Sequence, residues 1–452
     1  MLNESIKTRP MIPGNLMCMM HPTMRAYDLP EIKSLPIRDL FPELPEAIFL
    51  YGGDLSVVRE RTERALAGVD MSMIKPNHTV NILCSEHGFN VLGGDAYTEM
   101  IKATRDVIQE RTGCPHVRLR YTSGFCKNES PEAILHEYGL YEHFEGQILG
   151  TSLFQEGIPL ETEIGTLYVV KDAFDSDWFI HTHYDDPREL YFNRLTARIY
   201  KPFTMSYARI EVRSLYHLNF GPRSANIVPR LIFEALKHKH AFTIELTTSP
   251  TGLLDVSADN DIKRLERKGT INTLKSYGKL LSLMSTIEDV IMVHDFPRPI
   301  WYGHCGGVVA GIVYKSHMDN FDLDVVPKVT ETLSNPAVKA VVINHTSGYY
   351  NATLPHYYPI FVADELAKFS QTDDVLPYAK ICDGLPDAMD KAREAGKTDN
   401  VMVFDGTYGH MNLSESMADF LMSKVPAARE LNDKRLPKWL KQRGIDPAEF
   451  NN

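Results

Sequence analysis

Short runs of β-branched and aromatic residues recur along the chain. They are AIFLY (47–51), TVNILC (79–84), VRLRYT (117–122), TLYVV (166–170), WFIHTH (178–183), FTIEL (242–246), VIMVHDF (290–296), AVVINHT (340–346) and VMVFDG (401–406). Runs of this length and composition read as strands. Between most of them lie segments with apolar positions three and four apart, at 55–68, 95–113, 230–240, 261–284 and 385–396, which read as helices. Strands alternating with helices predict an α/β protein with mostly parallel sheets flanked by helices. In such sheets ligands bind beyond the carboxyl ends of the strands, so the turns CSEHG, TSGFCKNES, HTHYDDPR, NHTSGYY and FDGTYGH are the first places to look for a site.

No Ser/Gly linker, repeat or low-complexity run divides the chain, and the proline- and glycine-rich stretch 294–311 is the best crossing point. The expected organisation is a larger N-terminal domain over 1–290 and a smaller α/β domain over 291–410. A charged, partly helical tail over 411–452 would pack on the surface or back on the first domain.

Composition narrows the function class. Among 452 residues, 48 Lys+Arg stand against 59 Asp+Glu, a formal net charge of -11, which argues against a nucleic-acid partner. No stretch approaches about 18 consecutive apolar residues, so no membrane span is expected. Proline and polar residues interrupt the Met-rich N-terminus, and the six cysteines form no CxxC pair. Both features suit reduced thiols and a cytoplasmic location.

The densest polar chemistry lies between Asp177 and His217. His181 and His183 alternate on one predicted strand and so face the same side. Such a pair is an acid/base arrangement or, with Asp185 or Asp186, a direct metal site for a divalent-metal lyase or hydrolase; equally, one histidine is a satisfied strand-end hydrogen-bonder. Lys201, before a proline in IYKPF, is either an amine made nucleophilic by an apolar pocket or a surface lysine laid along it. Cys126 and Lys127 precede a helix start capped by Ser130, where a thiolate or anion is favoured, or where the chain simply enters a capped helix. Glu86 and His87 form a further strand-end cluster. GHCGGVVAG (303–311) fits neither a Walker loop nor a dinucleotide fingerprint.

Four stretches resemble the nickel-pincer lactate racemase family, most strongly over 34–220. GGDLSVVRERTERALAG resembles its early helix, and YTSGFCKNESPEAI resembles its ATGxHRxxTEEEL pattern. QEGIPLETEIGTLYVVKDAFDSDWFIHTHYD resembles the segment that carries an aspartate before an exposed strand. In that family a lysine carries the cofactor through a thioamide and a histidine sixteen residues later ligates nickel; Lys201 and His217 stand sixteen apart here. The resemblance implies a two-domain α/β enzyme with its active site in the interdomain cleft. Its activity would be racemisation or epimerisation of a 2-hydroxy acid, by reversible hydride transfer to a nickel-pincer nucleotide on Lys201. It further implies His217 as the metal ligand, and Lys127, Arg194, Arg188 and His87 as groups near the cofactor or carboxylate. His183 would be one acid/base group, with Cys126, His87 or Tyr191 opposite. The chain departs from the family pattern at four places, one of them a C-terminal GYPxDxxxYxxxK signature that SGYYNATLPHYY only echoes, without its lysine. Cys126-Lys127 replaces His-Arg, Tyr191 stands where a second catalytic histidine is expected, and CSEHGFN replaces an arginine-bearing DxTRP signature. The partners implied are the hydroxy acid, cofactor-assembly enzymes and, as an open alternative, a second copy in a homodimer. A non-catalytic cofactor-binding homologue is the remaining alternative.

Overall fold

The structure is a computed structural model. It describes residues 24–85, 88, 89, 92, 94–122, 135–185, 198–218, 226–295, 313–319, 321–325, 335–345, 358–363, 379–405 and 407–451, with the backbone alone for His217, Lys315 and His345. In chain order, β1 (Ile32–Pro36) and α1 (Leu55–Ala67) are followed by β2 (Thr79–Ser85), α2 (Asp95–Thr112), β3 (His116–Thr122) and β4 (Ile148–Thr151). Next come β5 (Gly157–Thr162), β6 (Gly165–Val170), β7 (Trp178–Asp185), α3 (Ile210–Leu218) and α4 (Ile227–Leu236). Then follow β8 (His240–Ser249), β9 (Gly252–Asp259), α5 (Ile262–Met284), β10 (Val290–Asp295) and β11 (Val338–His345). The chain continues through β12 (Ile360–Ala363), β13 (Lys380–Cys382), α6 (Gly384–Gly396), β14 (Val401–Phe404), β15 (His410–Ser414) and α7 (Glu415–Gln442).

Two main sheets form. The first has the order β4-β3-β2-β7-β8-β9, and all its neighbours run parallel except the β8–β9 hairpin. The second has the order β1-β15-β14-β10-β11-β12-β13, parallel from β14 to β13, with β15 and β1 added antiparallel. This is the mixed α/β architecture that the alternating pattern predicts. The run at 166–170 is a strand that pairs with β5 in a separate hairpin, with one further bridge from Val169 to Ala208. AIFLY is not a strand: Phe49 makes one antiparallel bridge to Leu253. Its chain crosses the β8–β9 turn, where Gly252 at φ +133° approaches Ala47 and Leu50 too closely to admit a Cβ.

β8 is buried at all ten positions, which a strand covered on both faces requires. Helix starts follow local chemistry. Asp54 accepts from the Ser56 amide at 2.9 Å, and Asp261 from the Lys263 amide at 3.0 Å. The apolar core is continuous from Val80, Ile82 and Ile244 of the first sheet, through Leu274, Tyr277 and Leu281 of α5, to Met292, Val341 and Met402 of the second. α7 lies along α5, and Gly278 allows the approach: a Cβ there would stand 2.7 Å from Asn432 Oδ1 and 3.1 Å from the Trp439 ring. The fully buried Trp439 donates its ring N–H to Asp319 at 2.9 Å.

Connectivity determines where each sheet opens. From β2 the chain adds β3 and β4 on one side and returns to add β7 and β8 on the other. From β10 it adds β11, β12 and β13 on one side and β14 on the other. Crevices at such switch points lie beyond β2/β7 and beyond β10/β14.

Candidate functional site

Alternation on β7 puts His181, His183 and Asp185 on one face, in register with Thr243, Glu245 and Thr247 of β8. Their environments separate the two histidines. His181 is wholly buried, its Nε2 lies 2.8 Å from the Ile199 carbonyl oxygen, and the Tyr207 hydroxyl is 3.4 Å from Nδ1. Burial holds its pKa down at about 3, so it stays a neutral core group that locks the segment 198–201 onto β7. In this arrangement the His181 ring is directed at the Ile199 carbonyl and Tyr207, and Asp186 of the direct metal reading lies outside the described residues. Among the described residues no group of three His, Cys, Asp or Glu side chains is placed to hold a metal ion.

His183 stacks on Tyr184 with ring centroids 5.3 Å apart and lines a small cavity with Asp185, Arg198, Glu245 and Glu266. The cavity measures about 20 Å³, room for about one water. α5 forms its floor. Gly269 passes so close that a Cβ would sit 3.3 Å from the Asp185 carboxyl carbon. Asp185 accepts hydrogen bonds from Asn272 Nδ2 and Thr273 Oγ1, each at 3.1 Å. Glu245 is 2% exposed, and its Oε1 has no hydrogen-bond partner among the described residues. Burial, with the Asp185 charge adding and Lys268 opposing, pushes its pKa well above the carboxylate range. Arg198 has Nε and Nη1 buried, likewise without a partner among the described residues.

Lys201 is half-buried and directly precedes the short helix Pro202–Met205. Its backbone is anchored through that turn, and Arg213 of α3 reaches the Met205 carbonyl at 3.5 Å. The backbone of His217 belongs to α3, while its side chain lies outside the described residues. Cys126, Lys127, Tyr191, Arg194 and His87 lie outside the described residues, as do Glu86, Ser130, Asp186 and Arg188. The structure thus brings His183 and Asp185 together and sets Lys201 three residues past Arg198. Glu245 and Arg198 were not anticipated from sequence; the one available signal was an acid in the middle of the apolar run FTIEL.

At the end of β10 the N-terminal segment packs in through Arg25 and Ala26. Asp295 at the end of β10 is fully buried; Arg25 Nε lies 3.0 Å from both its oxygens, and it accepts from the Ala26 amide at 2.7 Å and Asn344 Nδ2 at 2.9 Å. Asp405 follows β14 and accepts from Asn412 Nδ2 at 2.6 Å and the Thr407 amide at 3.1 Å. Burial first, and then the charge of Asp295, raises the Asp405 pKa to about 6. The folded chain therefore keeps this proton to higher pH than the unfolded chain. The stability it contributes is complete below about pH 4 and is lost as the pH rises to about 6. Asp405→Asn is expected to remove this slope, worth on the order of 3 kcal/mol across the window. Urea unfolding midpoints at pH 4 and pH 7 read it, and a variant with the parental slope would exclude Asp405 as the source.

No protein-family model matches the chain, and no curated protein sequence matches it. Among solved structures, the lactate racemase apoprotein from Thermoanaerobacterium thermosaccharolyticum is similar to it. That likeness has 12% identity and a TM-score of 0.42, and it covers 78% of this chain and 92% of that one. At those values it carries no argument about chemistry. No helix among the described residues is long and apolar enough to cross a membrane.

Proposed function

We propose that this chain is a racemase or epimerase of a 2-hydroxy acid that works with a nickel-pincer nucleotide tethered to Lys201. The observation that carries the reading is the placement of Lys201, half-buried at the start of the helix Pro202–Met205 and three residues past Arg198. His181 pins Ile199, and the adjacent Arg198 has two buried N–H groups without a partner among the described residues. Buried donors of this kind favour an anionic group, and a guanidinium takes phosphate or carboxylate bidentately. A half-buried lysine three residues past an arginine with two buried donors supports a lysine tether with an anion-holding group nearby.

When bound, that group supplies a hydride acceptor for the α-carbon. The remaining work falls to the chain. Arg198 orients an anion, and His183 takes and returns the hydroxyl proton. Cys126, His87 or Tyr191 supplies the second acid/base group, His217 the nickel ligand, and Lys127 and Arg194 further contacts to the cofactor.

The test uses protein from a host that makes the cofactor, analysed together for intact mass and metal content. A mass increment mapping to Lys201, with about one nickel per chain, is expected. An unmodified chain without nickel from such a host overturns the reading.

A further inference from the structure

A second and larger cavity lies further along α5 from the one at His183. Its walls are Glu43, Leu44 and Pro45, α5 from Asn272 to Lys279, α7 from Asn432 to Leu436, and Phe450 of the short helix Pro447–Asn451. It measures about 380 Å³, within the range of about 300–1,000 Å³ that small-molecule sites occupy. The walls come from stretches far apart in sequence, so the cavity belongs to the packed fold rather than to one loop. Leu44, Leu274, Leu436 and Phe450 form its apolar side.

The charges around it leave one cation over. Glu43 accepts from Arg429 on both oxygens, at 2.6 and 2.8 Å, and from Lys279 as well. Arg429 is also the cation on which the Asp433 charge acts. The two acids of the lining, Glu43 and Asp433, are thus matched by Lys279 and Arg429. Lys275 is the remaining lining cation. Its ammonium stands 5.4 Å from the centre of the Phe450 ring, and it has no carboxylate partner among the described residues. Glu449, beside Phe450, is held by Arg267 at 2.7 Å instead.

The neutral polar group on the α7 wall points the same way. Asn432 is 5% exposed, and its Oδ1 has no hydrogen-bond partner among the described residues. That oxygen is turned to Gly278, where a Cβ would stand 2.7 Å from it. A planar amide with its oxygen turned to one side holds its N–H groups on the other, so Nδ2 is the arm that Asn432 offers to the cavity. An ammonium and an amide N–H are both donors, and together they suit an anion.

We propose that this cavity binds a small organic acid with an apolar body, whose carboxylate is held by Lys275 and Asn432 and whose body lies against Leu44, Leu436 and Phe450. One unmatched cation suits a monoanion better than a phosphate dianion, and the apolar side disfavours a bare inorganic ion. The site is separate from Lys201 and does not rest on the proposed function.

The test uses the purified chain and three probes of this class, hippurate, 4-phenylbutanoate and hexanoate, with affinities read by saturation-transfer NMR. A Kd of about 1 mM or tighter is expected for at least one of them. Lys275 is exposed, so its variants should fold. Lys275→Met keeps the stem on Phe450 and removes the charge, and it is expected to weaken binding about fivefold, the upper range for a partly exposed ion pair. Lys275→Arg should restore the parental value, and Lys201→Ala should leave it unchanged. Hippuramide, which lacks the carboxylate, should bind the parent more weakly than hippurate does. The site is refuted if none of the three probes binds the parent, or if Lys275→Met binds them as tightly as the parent. Binding lost in Lys201→Ala and kept in Lys275→Met would place the probe elsewhere and equally overturn it.

Discussion

Lys201→Ala is expected to leave a folded chain that retains no nickel, gains no mass in a cofactor-competent host and racemises 2-hydroxy acids no faster than buffer. The loss is total because a tether admits no partial substitute. Arginine keeps the charge, but its guanidinium cannot be deprotonated and supplies no free amine. Lys201→Arg should therefore fail as completely as alanine. Stability provides the control. Lys201 is half-buried and its turn is held by backbone bonds and by His181, so either change should cost less than about 1 kcal/mol. Nickel retained by either variant at parental stoichiometry, measured after gel filtration, would remove Lys201 from the site.

The largest expected loss of stability comes from Arg25→Ala. Asp295 is fully buried, and the Arg25 guanidinium contacts its carboxylate through Nε while Nη2 bonds the Asp295 carbonyl at 2.5 Å. Removing one partner of a buried pair leaves the other charge uncompensated, at a cost of about 3–5 kcal/mol. The double variant Arg25→Ala/Asp295→Asn should recover a large part of that loss, because no charge is then stranded. Denaturant midpoints for the parent, both singles and the double close the cycle. Equal losses in the single and the double would show that the contact contributes packing rather than charge compensation.

The sequence pattern revealed the helices and the buried parallel strands, because their periodicity and caps are local. α5 was legible from Asp261 through Met284, and β7, β8, β10, β11 and β14 from their β-branched runs. The edges were not. β13 has three residues, β1 contains Pro36, and both exist as strands because a neighbour completes them. The paired histidines were legible as a pair but not as individuals. Only the Ile199 carbonyl, brought back from eighteen residues downstream, reveals that His181 is structural. Glu245 sat within a run read as pure strand, and Arg198 within a loop read for its lysine. Each acquires chemical meaning from a long-range neighbour that no local pattern encodes.

The pairing of β1 with β15 has a consequence for how the protein is made. Ser34 bonds Asn412 across 378 residues of chain. At ribosomal rates of about 5–20 residues per second, β1 waits roughly 20–75 s for its partner to be synthesised. During that interval a strand with open hydrogen-bonding edges lacks its partner, the kind of segment that pairs with another chain. Newly made protein should therefore depend on protection of its leading segment far more than refolded protein does.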